Sequence, residues 1–163
     1  MHNNVVFRQL RYIFDLNDDQ MVDVFAQAEA KVSKEQVVSW LKREDHEKYA
    51  EISDPNFASF LDGLINLKRG KREGPQPAPE KVLNNNIIFR KLKIALNFKD
   101  TDIMDAYDSV GMRISKHEVT AIFRNPKQRQ YRDCEDQFLR NFLQGLQLRF
   151  RPKKEGEDEE EKK

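Results

Sequence analysis

The sequence predicts an all-α fold: two tandem, pseudo-symmetric copies of a small four-helix module, each holding a helix-turn-helix-like pair. Three observations predict it. Shifting the 163-residue chain against itself by 82 positions aligns 3–67 with 85–149 without a gap and with 16 identities. Apolar residues in both copies recur at i, i+4 and i+7, the period of a helix with one buried stripe. No segment sustains the period-two alternation of a half-buried strand. The repeat is longer than the about 20–50 residues of a solenoid or propeller unit, so it reads as one small module used twice.

The first helix carries Val6, Leu10, Ile13 and Phe14 in one copy and Ile88, Leu92, Ala95 and Leu96 in the other. The second is expected to start at Asp18 and Asp100, whose carboxylates suit the free N–H groups of a first turn. Its stripe is Met21, Val24, Phe25 and Ala28, matched by Ile103, Ala106, Tyr107 and Val110. The third opens at Ser33 and Ser115, because Ser33-x-x-Gln36 and Ser115-x-x-Glu118 both fit a capping box. It carries Val37, Trp40 and Leu41, then Val119, Ile122 and Phe123. The fourth is expected from Asp54-Pro55 and from Asp136, with capping assigned to the aspartates and Pro tolerated in the first turn. Its core positions are Phe57, Phe60, Leu61 and Leu64, matched by Leu139, Phe142, Leu143 and Leu146. Gly63 and Gly145 fall inside this helix, where Gly costs ~1 kcal/mol relative to Ala. Their recurrence at matched positions predicts a close helix crossing.

The copies occupy 1–67 and 85–151, joined by a basic Pro/Gly linker at 68–84 and followed by a charged tail at 152–163 that is expected to be disordered. Overall the chain has 29 Lys and Arg against 28 Asp and Glu, but the balance is uneven. Residues 1–67 have seven basic and twelve acidic side chains, a net of −5, whereas 85–151 have thirteen and eight, a net of +5. The linker adds +3 and the tail −2. Such a division suits an acidic face meeting a basic one, or a basic half meeting a polyanion.

Composition also excludes several classes. There is no run approaching the ~20 apolar residues of a membrane span, and the N-terminus has neither the basic nor the apolar region of a secretory signal. One Cys makes neither an internal disulfide nor a four-Cys zinc site. These features point to the cytoplasm. His2, His46 and His117 form no metal-ligand spacing, and the six Gly form no phosphate-binding loop, so neither a metal nor a cofactor is expected. Cys134 stands where the first copy has Ile52, which marks an apolar site rather than a nucleophile. No catalytic residue is evident, and an enzyme with an unrecognised site is only a remote alternative.

The motifs Asn-Asn-x-x-Phe-Arg-x-Leu-Arg-Tyr at 3–12, Ser-Lys-Glu-x-Val-x-x-Trp-Leu-Lys at 33–42 and Phe-Leu-x-Gly-Leu-Ile-x-x-Lys-Arg-Gly at 60–70 carry a further signal. By them the chain resembles the YehS-like bacterial family, which contains a tandem domain of unknown function (1456). The resemblance extends to about Arg151. It implies a bacterial, cytoplasmic, all-helical protein and assigns no activity. The second copy departs from the Trp-Leu-Lys element, with Ile122-Phe123-Arg124, and lacks the Lys-Arg-Gly ending.

Two binding roles follow from the residues. The leading expectation is a non-enzymatic protein-interaction module that takes a protein partner or self-associates through Trp40, Tyr49 and Tyr131 as aromatic anchors. The alternative is nucleic-acid binding by the basic second copy and linker, through Lys116, Arg124, Lys127, Arg129 and Arg132 with Lys68, Arg69, Lys71 and Arg72. A third set is matched across the copies: Arg8 with Asp23 and Arg90 with Asp105, read as structural ion pairs or as a ligand-facing groove.

Overall fold

A computed structural model describes residues 1–152. The tail assigned to 152–163 therefore lies outside the described residues except for Pro152. Eight helices are present among the described residues, and no strand. The first copy contains α1 (Asn3–Ile13), α2 (Asp18–Gln27), α3 (Lys34–Leu41) and α4 (Asp54–Arg69). The second contains α5 (Asn85–Leu96), α6 (Asp100–Asp108), α7 (Lys116–Ile122) and α8 (Asp136–Phe150). Shifted by 82 positions, the four helix starts coincide.

Local chemistry explains the boundaries, with one correction. Ser33 and Ser115 accept from Gln36 N and Glu118 N, and Gln36 and Glu118 return the bond, as the capping boxes require. Asp18, Asp54, Asp100 and Asp136, however, are first-turn residues and not N-caps. Asn17 caps α2 by accepting from Gln20 N, and Ser53 caps α4 by accepting from Asn56 N. In the first copy an uncharged amide or hydroxyl fills the extended cap position, leaving Asp54 free for bonds between segments, whereas Lys99 and Glu135 stand there in the second copy without a side-chain cap bond. Positive φ recurs at matched joints: Asp15 (53°) with Asn97 (55°), and Glu29 (59°) with Gly111 (79°). Asn and Asp are among the side chains that tolerate this left-handed conformation best.

The Gly63 and Gly145 positions are close crossings. A Cβ on Gly63 would overlap the Val24 carbonyl of α2, and one on Gly145 would overlap the matched Ala106 carbonyl of α6. The helix cost of Gly is thus offset by packing that only Gly permits.

Assembly of the two copies uses four helices running in one direction. At one end Asn3 donates to Asp54 Oδ1 (2.6 Å), Leu83 N donates to Asp54 Oδ2 (2.9 Å), and Asn85 donates to Asp136 Oδ1 (2.7 Å). The Met1 ammonium lies 2.6 Å from the same Asp136 oxygen. The starts of α1, α4, α5 and α8 therefore meet. At the other end Phe14 packs on Phe150 (5.9 Å between centroids), Lys68 lies over Phe14, and Arg149 lies over Phe98. The neighbours around this ring are α1 with α4, α4 with α5, α5 with α8 and α8 with α1. The α4–α5 and α8–α1 contacts are related by the repeat, and together they merge both copies into one continuous core. Parallel alignment gathers four negative helix ends, and Arg11, Lys68, Arg69, Lys93 and Arg149 occupy those last turns. Among the described residues, no helix is long and apolar enough to cross a membrane.

Candidate nucleic-acid interface

The segment after α7 is built on a buried amide. Asn86, 6% exposed, donates to Ile122 O (3.0 Å) and Arg132 O (2.9 Å) and accepts from Cys134 N (2.8 Å). Asn4, 1% exposed, does the same in the first copy with Trp40 O, Ala50 O and Ile52 N. Each loop is also closed by matched backbone bonds, His46 N to Arg43 O and Gln128 N to Asn125 O, then Tyr49 N to His46 O and Tyr131 N to Gln128 O. One backbone is therefore held in the same way twice.

What it displays differs. Residues 42–50 have three basic and three acidic side chains, whereas 124–132 have four basic and none acidic. Lys127, Arg129 and Arg132 are exposed and Arg124 is half-buried, with its Nε buried and lacking a protein acceptor. Lys116 is exposed at the first turn of α7. Four cations on a pinned loop form a positive surface that phosphates can approach without ordering the loop first.

The linker cations do not all join that surface. Lys68 lies over the Phe14 ring (5.1 Å), and Lys71 pairs with Glu29 (3.3 Å), both in the first copy. Arg72 is exposed, its carbonyl accepting from Gln76. Arg69 instead reaches the second copy, lining a groove with Arg90, Lys93 and Phe123.

Two further expectations need correction. Trp40 is a core residue, 5% exposed and edge-on to Phe7, so it offers no anchor to a partner. Its indole supplies apolar volume against Phe25 as well. The pairs Arg8–Asp23 and Arg90–Asp105 do not form, because Asp23 and Asp105 face outward on α2 and α6. The arginines bond carbonyls at the ends of the third helices instead: Arg8 to Lys42 O (3.0 Å) and Arg90 to Phe123 O (3.4 Å). A cation there complements a negative helix end.

Tyr49 and Tyr131 are half-buried beside these arginines. Burial raises the Tyr49 hydroxyl above its usual range, with Glu51 adding to the rise and Arg8 opposing it. Burial and then Asp133 raise Tyr131, with Arg90 opposing. Burial pushes the Cys134 thiol up to about 12, which removes the thiolate a nucleophile would need. Among the described residues no three His, Cys, Asp or Glu groups converge as a metal site. A cleft of about 380 Å³ between α7 and α8 combines Arg132 with Glu118, Asp133 and Glu135 over Ile122 and Phe138. Its carboxylates outnumber its cation, so the exposed Arg132 edge and not the cleft floor belongs to the positive surface.

The sequence pattern missed the buried asparagines as functional supports, although the identical Asn-Asn at 3–4 and 85–86 was the available signal. It also missed Lys91, which bridges Asp62 (2.5 Å) and Glu80 (2.8 Å) across the α4–α5 contact.

Residues 3–70 and 85–151 each match the family described as protein of unknown function (DUF1456). The chain is 41% identical over 155 residues to YehS, an uncharacterized protein of Escherichia coli (strain K12), covering 94% of this chain and 99% of that one. No solved structure matches at a significant level.

Proposed function

The chain belongs to the DUF1456 family of proteins of unknown function, and from that premise we propose that it is a non-enzymatic, cytoplasmic nucleic-acid-binding protein. The observation that supports this reading is the loop pair. An identically pinned backbone is neutral at 42–50 and carries four cations without a carboxylate at 124–132. Folding does not require that charge, since the first copy folds the same way without it. Arg124, Lys127, Arg129 and Arg132 would contact phosphates, and Lys116 would stand at the adjacent helix start.

Titration against mixed duplex and single-stranded nucleic acid at about 50 and 200 mM salt tests the proposal. Binding is expected to weaken with salt by about 0.9 log unit per log salt for each phosphate neutralised on duplex. It is expected to vanish in Lys127→Glu/Arg129→Glu/Arg132→Glu. Salt-insensitive binding, or none at low salt, sinks the reading.

A second reading, association with a protein partner or another copy, draws on the end where α1, α4 and α8 finish. Tyr12, Leu67, Leu148 and Phe150 are exposed there. A mass that rises with concentration in light scattering, and falls back in Phe150→Ser, would favour it.

A further inference from the structure

A groove at the far end of the parallel helices goes beyond the loop surface. It encloses about 320 Å³ and is lined by Arg69 from the first copy with Arg90, Lys93, Asn97, Phe98 and Phe123 from the second. Three cations face it and no carboxylate does. Lys93 is held by Asp100 (3.3 Å) and lies over the Phe123 ring, while Arg90 rests on the Phe123 carbonyl. Among the described residues, no ion pair reaches Arg69 or Arg90. The groove exists only because the copies pack together, since neither supplies all three cations.

The repeat provides an internal reference. Shifted by 82 positions, Arg69 corresponds to Arg151, Ile94 to Tyr12 and Asn97 to Asp15. Asp15 and Asn97 share the left-handed conformation. In the related place Arg151 crosses onto the first copy, lies over Tyr12 (4.6 Å), donates to Tyr12 O (3.0 Å) and pairs with Asp15 (3.0 Å). That place thus carries its own carboxylate. The groove has an amide where that carboxylate stands, which leaves the arginine fork from α4 without its anion.

We propose that the groove around Arg69, Arg90 and Lys93 binds a phosphate group, and that Asn97 in place of aspartate is what opens it. Two guanidinium forks and an ammonium suit the spread charge of a phosphate oxygen set. The half-exposed Ile94 and the Phe98 edge offer an apolar shelf beside it, within the volume of small-ligand sites. The phosphate can come from a free phosphomonoester or from a nucleic-acid backbone, and the probes separate the two.

The test titrates the full chain with adenosine monophosphate, inorganic pyrophosphate and a short oligothymidylate without terminal phosphates, followed by calorimetry and amide chemical shifts. Asn97→Asp is expected to close the groove onto Arg69 and weaken binding about tenfold or more, with an unchanged melting temperature. Arg69→Ala should weaken it comparably. Preference for adenosine monophosphate assigns a small phosphorylated ligand, and preference for the oligonucleotide assigns a backbone. Binding unchanged in both Asn97→Asp and Arg69→Ala, or no binding of any probe, overturns the proposal. Loss of adenosine monophosphate binding in the loop variant Lys127→Glu/Arg129→Glu/Arg132→Glu would also overturn it, since the groove uses none of those residues. Retention there, alongside loss of duplex binding, separates the two sites.

Discussion

The first and second copies use the same local devices and present different surfaces. Buried Asn4 and Asn86 make the same three bonds, and Gly63 and Gly145 admit the same crossing carbonyl. Arg8 and Arg90 bond the ends of α3 and α7. Against that constancy, the pinned loops differ by four charges, Asp15 corresponds by position to Asn97, and the Asp62–Lys91 pair of one interface to Gln144 and Gln9. Matched features are what the module needs to fold, and the unmatched ones are where the copies were free to take separate tasks.

Breaking a matched feature should cost most. Asn4→Ala strands the Trp40 and Ala50 carbonyls and the Ile52 N–H, and at about 1–3 kcal/mol per buried group a loss of about 3–5 kcal/mol is expected. Asn86→Ala should fall in the same range, and urea unfolding of both variants checks the equivalence. A loss below about 1 kcal/mol in either would mean that water replaces the amide and the loop is not pinned. Next in size is Gly63→Ala, which sets overlap with the Val24 carbonyl against a helix gain of ~1 kcal/mol. A net loss of about 2–3 kcal/mol is expected, and less at Gly145, where the overlap is shallower.

The unmatched interfaces come third. Lys91 and Asp62 are each 13% exposed, so Lys91→Gln leaves a nearly buried carboxylate and should cost about 2 kcal/mol. Asp62→Gln/Lys91→Gln, which installs the glutamines of the related interface, should recover part of that loss, the remainder being the Glu80 carboxylate left without its ammonium. Burial raises the Asp62 carboxyl above its ordinary range in spite of the opposing pull of Lys91. The folded chain therefore takes up a proton at a higher pH than the unfolded chain. Stability from this group falls as pH rises between the ordinary and the raised value, and the double variant should lose that slope. Asp136 has the opposite sign: the Met1 ammonium and Asn85 lower its carboxyl, so its contribution is lost as pH falls. Unfolding midpoints between about pH 3 and 6 resolve the two.

Fold was legible in the sequence because it was written twice. Apolar spacing, the serine capping boxes and the paired glycines each gained meaning from their counterpart 82 positions away. The aspartate caps were misread because Asp18 and Asp54 occupy the first turn, where propensity suits them as well as at the cap, and nothing local ranks Asn17 or Ser53 ahead of them. Trp40 was misread for a different reason. Indoles serve both cores and interfaces, and burial depends on Phe7, 33 positions earlier. The carboxylates of Asp23 and Asp105 lie at matched positions yet outside the core, so recurrence alone did not reveal orientation. The groove at Arg69 was illegible, since it joins the end of α4 to the end of α5 through packing of the copies.

Exchanging the loop charges gives the smallest effect on stability and the sharpest test of the comparison. Lys127→Glu, Arg129→Glu and Arg132→Glu alter exposed side chains without touching the bonds of Asn86, whose partner in Arg132 is the backbone carbonyl. Each should change unfolding free energy by less than about 0.5 kcal/mol, while a reader of phosphates loses about one unit of salt slope per cation removed. The reciprocal change is Asp45→Lys/Glu47→Arg, which places two of the second copy's cations on the first copy's loop. If charge on a pinned backbone is sufficient, this variant gains salt-dependent binding with its fold intact. If it gains none while remaining folded, then affinity in the second copy depends on positions where the loops still differ, Arg132 in place of Ala50 and Pro126 in place of Glu44, since Lys34 and Lys42 already match Lys116 and Arg124.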